Sequence, residues 1–187
     1  MLRSVAFRLL GLALGLLAVG GPVHAADQGY RLKAGDQVQI SVWREETLDR
    51  TVAVLPDGTI TFPLAGQMSV SGLTPTEVEQ RIAGKIKKYI PEPVVTVAVM
   101  GIGGNRVFVV GKVRQPGAFV LSGPTDVMQA LTLAGGLDRF ADEDSIRILR
   151  GAGADQESFA FDYEAVLKGA SPDLNIQVQP GDTIVVP

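Results

Sequence analysis

The chemistry open to this chain is narrow. Its one histidine is His24 and it contains no cysteine. Ser-His-Asp and Cys-His nucleophilic sites, and the usual zinc ligand sets, need one or both of those residue types. His24 falls inside a predicted leader, so carboxylates are the candidates that remain. Glu45-Glu46 and Asp142-Glu143-Asp144 are the acidic clusters. A glycoside hydrolase needs two carboxyl groups facing each other across a sugar, roughly 5–9.5 Å apart. Both clusters fall between predicted strands or helices, where acidic side chains are commonly just solvated. The second also suggests calcium by residue type, but it lacks the EF-hand ligand spacing and central glycine. Gly101-Ile102-Gly103-Gly104 follows a strand as a phosphate loop does. Another strand comes next, so no helix N-terminus is offered to a phosphate and the glycines read as a joint. Trp43, the sole tryptophan, offers a ring that can stack on a sugar or be buried between domains or subunits. No residue is assigned as catalytic, cofactor-binding or metal-ligating, and no cofactor is expected.

The first 25 residues carry the marks of a secretory leader. Arg3 and Arg8 precede an apolar run over 9–19, and Val23-His24-Ala25 places small residues three and one positions before a cleavage point at Ala25-Ala26. The apolar run rises only about 16 Å as a helix, short of the roughly 20 residues a membrane span needs. Cleavage leaves roughly 160 residues, enough for one ordinary domain or two small ones. The whole chain has 17 basic and 20 acidic residues, and losing Arg3 and Arg8 makes the remainder more acidic. The basic residues are scattered apart from Lys85, Lys87 and Lys88, read as one solvated helix face, so nucleic acid is not an expected partner. No cysteine follows the leader to carry a lipid, and no second long apolar run is present. The expectation is a soluble exported protein whose membrane association comes through partners.

The elements that would position these residues are mostly strands. Residues 37–43 (QVQISVW) alternate, with Val38, Ile40 and Val42 on one face and Trp43 on the other. Gly35-Asp36 ahead of them is a turn signal. Pro56-Asp57-Gly58 between 51–55 and 59–62 predicts a hairpin. Thr74-Pro75-Thr76-Glu77 is a capping box opening a helix with Val78, Ile82, Ala83, Ile86 and Ile90 on one face. Pro91-Glu92-Pro93 is expected to stop it, and 94–99 (VVTVAV) to return as a strand beneath it. A second unit begins at Arg106, with a strand over 106–113, a type II turn at Pro116-Gly117 and a return over 118–121. A helix capped by Thr125 or Asp126 follows, burying Val127, Ala130, Leu131 and Ala134 and ending at Gly135-Gly136. Strands over 145–150, 158–161 and 177–186 complete the pattern, the last with a turn at Pro180-Gly181-Asp182. Lys33-Ala34-Gly35-Asp36 and Gln179-Pro180-Gly181-Asp182 echo each other, each opening an alternating strand. Asp36, Asp57 and Asp182 are therefore expected to serve turns. The fold class is α+β: two small β-rich units with one main helix each. The leader is assigned to 1–25, the first unit to 27–100, a joint to 101–105 and the second unit to 106–187.

At these residues the chain resembles the outer-membrane polysaccharide-export family. Residues 30–43 resemble the opening of its export domain. Pro56-Asp57-Gly58-Thr59-Ile60 and Pro63-Leu64-Ala65-Gly66 resemble its central signature, and 72–82 its helix. The second unit is similar to the soluble-ligand-binding β-grasp (SLBB) domain, through Val110-Gly111-Lys112-Val113-Arg114-Gln115-Pro116-Gly117, Ala130-Leu131 with Ala134-Gly135-Gly136-Leu137, and Gln179-Pro180-Gly181-Asp182. The resemblance implies a ring-forming periplasmic homo-oligomer that passes capsular or exopolysaccharide outward with an inner-membrane polysaccharide co-polymerase. Longer members carry a lipid-bearing cysteine and a C-terminal amphipathic helix. This chain shows neither and stops at Pro187, one residue past a strand, so a separate outer-membrane β-barrel or another export subunit is expected to form the pore. Two other readings stand beside this one: a soluble glycan- or small-molecule-binding module, and a carboxylate-dependent glycan hydrolase or lyase.

Overall fold

The computed structural model describes residues 29–187; the predicted leader and its cleavage point lie outside them. The first unit centres on β1 (Asp36–Val42), flanked by β2 (Arg50–Ala53) and β5 (Val95–Ile102) in an antiparallel sheet of order β2-β1-β5. The alternation of β1 has its physical reason here, since Val38, Ile40 and Val42 face the core while Gln37 does not. Helix α1 (Pro75–Ile86) crosses the sheet. Its start is the capping box: the Glu77 amide donates to Thr74 Oγ1 at 3.3 Å and the Thr74 amide to Glu77 Oε2 at 2.7 Å. It buries Val78, Ile82 and Ile86, and Glu79 reaches across to accept the Val97 amide of β5 at 2.9 Å.

Three expectations for this unit are corrected. The helix closes on its own turn, the Tyr89 and Ile90 amides both donating to Ile86 O, so it ends before Pro91 acts. Of the three lysines only Lys85 is helical; Lys87 is the C-cap and Lys88 follows. At Pro56-Asp57-Gly58 there is a tight turn, with Leu55 N donating to Thr59 O at 2.8 Å, but no hairpin between the runs it joins. β2 pairs with β1, whereas β3 (Thr59–Phe62) pairs with β4 (Gly66–Ser69), a strand the periodicity does not reveal. The turn carries the chain from one sheet to the other, and both sheets bury side chains in one core, Val38 and Ile40 from β1, Ile60 and Phe62 from β3, Met68 from β4. The hairpin proper turns through Pro63-Leu64-Ala65, with Leu64 at φ 62° and Gly66 at φ 71°.

The second unit is a five-stranded mixed sheet of order β7-β6-β10-β8-β9, formed by β6 (Arg106–Gly111), β7 (Gly117–Val120), β8 (Ile146–Arg150), β9 (Glu157–Phe161) and β10 (Thr183–Val186). Only β6 and β10 run parallel. Helix α2 (Val127–Leu133) covers one face, burying Val127, Ala130 and Leu131 over Val107, Val109, Ile148 and Ile184. Asp126 is its cap, in a second capping box with Gln129. Its end is a Schellman motif: Gly136 N donates to Leu131 O and Gly135 N to Thr132 O, both at 2.9 Å, with both glycines at positive φ. A short α3 (Tyr163–Leu167), capped by Asp162, was not expected.

Pro116-Gly117 does not form a type II turn. Gly117 has no positive φ and opens β7, paired with Val109. The bend lies earlier, at Gly111 (φ 94°), after which the segment 112–116 reaches over to the end of α2. There Gln115 N donates to Ala134 O at 2.9 Å and Arg114 N to Gly136 O at 3.1 Å. These are carbonyls left without partners where a helix stops, and they hold the loop away from a tight two-residue turn.

Candidate functional site

The two Gly-Asp sequences build one structure twice, on either side of the joint. Gly35 and Gly181 take φ 93° and 95°. In each turn the aspartate amide donates to the carbonyl three residues back, at 3.1 Å for Asp36 on Lys33 and 3.0 Å for Asp182 on Gln179. In each the carboxylate then accepts the amide of that same residue at 2.8 Å. Both aspartates are buried, at 0% and 1% exposure. Carboxylates so enclosed need their remaining lone pairs filled, and the two turns fill them differently. Asp36 accepts the Tyr30 hydroxyl at 2.6 Å and the Gly104 amide at 2.9 Å. Asp182 accepts Arg150 through Nε at 3.0 Å and Nη2 at 2.8 Å, a forked ion pair. Burial first, then the bond to Asp36, pushes the Tyr30 hydroxyl above the ordinary tyrosine value. The bond to Asp182 likewise raises Arg150, whose guanidinium lies 5.0 Å over the Phe159 ring.

The connector runs between these turns. β5 extends through Gly101 and Ile102, which pair with Gln37 and Asp36, so the expected joint is confined to 103–105. A Cβ on Gly103 would stand 2.5 Å from Gly35 O, and one on Gly104 2.4 Å from Ala34 O. Those glycines are there for close approach, and the Gly104 amide needs that approach to reach Asp36. On the far side Gly181 N donates to Arg106 O at 2.8 Å and Phe108 N to Asp182 O at 2.9 Å. Lys33 Nζ donates to Asn105 Oδ1 at 2.8 Å. The Asn105 side-chain amide donates to Leu121 O, and Leu121 N returns to Asn105 O at 2.7 Å. The two units are thus tied to each other through backbone and side chain. Gly103, Gly104, Asn105 and Tyr30 carry this joint, and Arg150 completes the second turn beside it; the sequence placed 103–105 in the joint but gave Tyr30 and Arg150 no part in it.

The other singled-out residues lie apart from it. Asp57 is exposed, its carboxyl held below the usual range by the Thr59 hydroxyl and amide. Pro56 is exposed beside it, and Gly58 sits where a Cβ would meet Ser71 Cβ at 2.7 Å. Trp43 follows the end of β1 and is 70% exposed. It stands over a shallow hollow of about 200 Å³ shared with Glu45, Glu46, Asp49 and Val94, and Arg44 behind it takes φ 65°. Asp142, Glu143 and Asp144 are exposed in the second unit. The Ser145 hydroxyl, then Asp142, holds the Asp144 carboxyl low. Among the described residues no cluster of three or more His, Cys, Asp or Glu is placed to hold a metal, and no helix is long and apolar enough to cross a membrane. A groove of about 390 Å³ runs along α2 past Val120, Thr125, Gln129 and Leu133. It shares Leu121, Ser122 and Gly123 with a cleft of about 280 Å³ at the joint, lined by Tyr30, Lys33 and Asn105.

These features define an α+β protein of two small β-rich units, the second a β-grasp sheet crossed by one helix. Residues 24–100 match the family model described as polysaccharide biosynthesis/export protein, and residues 106–162 match the SLBB domain. The chain belongs to the polysaccharide biosynthesis/export family, with an SLBB domain following the export domain. It is similar to the EPS I polysaccharide export outer membrane protein EpsA of Ralstonia nicotianae, 29% identical over 89% of this chain and 49% of that protein. The polysialic acid transport protein KpsD of Escherichia coli is 28% identical over 70% of this chain and 24% of its own length. The capsule polysaccharide export outer membrane protein CtrA of Neisseria meningitidis is 29% identical over 50% and 24%. The chain therefore spans about half the length of the first of these relatives and about a quarter of the other two.

Proposed function

We propose that this chain is a non-catalytic periplasmic component of a capsular or exopolysaccharide export machinery, assembling into a ring that guides polysaccharide to the outer membrane. The observation that carries the ring is the joint. Asp36 on Gly104 and Gly181 on Arg106 brace the short connector from both units. Copies of a subunit with fixed internal geometry repeat one rotation, which a head-to-tail contact needs if it is to close into a ring and not run on as a filament. The family match supplies the cargo. The chain enters the periplasm behind a cleaved leader and reaches the outer membrane through partners. These are an inner-membrane polysaccharide co-polymerase on one side and a separate β-barrel or export subunit on the other.

One feature favours a second reading, a soluble module that holds a small molecule or a short glycan: the groove along α2 that opens onto the joint. Incubating the purified chain with polysaccharide from its own strain, while following native mass and glycan length, separates the readings. Closed oligomers with glycan length unchanged are expected. A monomer that retains a defined ligand would favour the module, and shortening of the glycan would establish an enzyme.

A further inference from the structure

One face of the five-stranded sheet is bare among the described residues. α2 covers the face holding Val107 and Val109, and the alternation of β6 sends Phe108 and Val110 to the other, where they are 39% and 41% exposed. The register sets Phe108 beside Thr183 and Val110 beside Val185. The charged groups on this face are Arg106 and Arg147, and no acidic residue points there from any of the five strands. Arg147 is exposed and forms no ion pair among the described residues. This face is therefore apolar and basic, in a chain that as a whole has more acids than bases.

The complement sits on the first unit. Trp43 and Val94 are 70% and 62% exposed and adjacent, Trp43 N donating to Val94 O at 2.9 Å. Glu45, Glu46 and Asp49 surround them with only Arg44 in opposition, which makes an apolar tip with an acidic rim. This tip is at the end of β1 remote from Asp36 and the joint, about 20 Å away at the rise of a strand. The braced connector does not let it fold back onto its own second unit, so a second copy of the chain is the molecule that brings the two together.

We propose that the Trp43-Val94 tip of one copy docks on the open sheet face of the next, Phe108 and Val110 receiving the apolar side chains and Arg147 facing the acidic rim. The contact uses different patches on the two partners, and so is head-to-tail. It rests on the ring reading and names the surfaces that build it. Desolvated indole against aliphatic side chains supplies the affinity, and the opposed charges set the orientation.

The sole tryptophan makes the test direct. Native mass and indole emission are measured together across a concentration series for the wild-type chain, Trp43→Ala (mass only), Arg147→Glu, and Arg147→Glu combined with Glu46→Arg. Far-UV circular dichroism checks that the exposed substitutions leave the fold intact. The expected result is self-association accompanied by a blue shift of Trp43. It weakens about tenfold or more in Trp43→Ala and in Arg147→Glu, where like charges meet, and recovers in the charge-swapped chain. Association without an emission change, or unaffected by Arg147→Glu, overturns this surface and leaves the ring reading standing. A wild-type chain that stays monomeric, alone and with its export partners, overturns both.

Discussion

Replacing Asp36 by alanine tests the joint where its chemistry is most concentrated. The carboxylate is fully buried and accepts Tyr30 Oη, Lys33 N and Gly104 N at 2.6, 2.8 and 2.9 Å. Tyr30 is half-buried and its hydroxyl can turn to water, but the two amides lie in closed turns. Leaving a buried donor without a partner costs about 1–3 kcal/mol, and release from burying the carboxylate offsets part of that. The net expectation is a loss of about 3 kcal/mol. Asp36→Asn keeps one accepting oxygen and turns an amide donor toward other donors, so it falls between, at about 2 kcal/mol. Asp57→Ala is the control, since that carboxylate is exposed and accepts only from Thr59 and Gln67, and it should leave the midpoint nearly unchanged. Hydrogen exchange of the β1 amides across a urea series reads the first unit, and circular dichroism reads the whole chain. With a slope of about 1–3 kcal/mol per molar urea, Asp36→Ala should lower the first-unit midpoint by at least about 1 M. Limited proteolysis should also begin to cut at 103–105, where Gly104 has lost its anchor. A midpoint moving no more than that of Asp57→Ala, with the connector still protected, would refute the reasoning.

Three further outcomes follow from the same structure. Arg150→Met leaves Asp182 buried with only the Gln179 amide and should cost about 3 kcal/mol, little changed by salt because the pair is largely buried, as denaturation at two ionic strengths would show. Gly111→Ala puts a Cβ 1.9 Å from Val186 O at φ 94° and should cost more than about 3 kcal/mol or prevent folding, whereas Gly117→Ala, with open space and no positive φ, should stay within about 0.5 kcal/mol by thermal melting. Tyr30 keeps its proton in the folded state above the ordinary value of about 10. Its contribution is therefore complete below that pH and is lost as pH rises toward the folded value; a melting series from pH 8 upward should show the decline beginning near 10 in the wild type and absent in Tyr30→Phe.

What the sequence revealed divides along the range of the interactions. The capping box of α1, the alternation of β1, the buried faces of α1 and α2 and the glycine end of α2 are set by residues within a few positions of one another, and each is visible as a pattern, whereas the sequence leaves the cap of α2 between Thr125 and Asp126. The fold class followed from them. The hairpin expected at Pro56-Asp57-Gly58 failed because a turn shows only that the chain reverses, while the partner of β2 is chosen by the core it shares with β1. Pro116-Gly117 failed because the carbonyls at the end of α2 compete for the loop, which no local signal records. β4 carries one buried apolar side chain, Met68, and α3 is five residues long, too little in either for a period to emerge. The Gly-Asp echo marked two similar turns, but the groups that complete them stand 6 and 68 residues from Asp36 and 32 from Asp182. Burial of those aspartates, and hence their weight in the joint, became visible only in three dimensions. Trp43 was placed on the outer face of its strand by parity, and its acidic surroundings emerge only where Glu45, Glu46, Asp49 and Val94 meet.

The claim that the chain carries polysaccharide outward is tested most directly in a strain lacking its gene, by quantifying surface and periplasmic polysaccharide side by side and then restoring the intact chain. The expected result is loss from the surface with retention inside the cell envelope, reversed on restoration. Undiminished surface polysaccharide, in a strain with no related subunit to substitute, would contradict it.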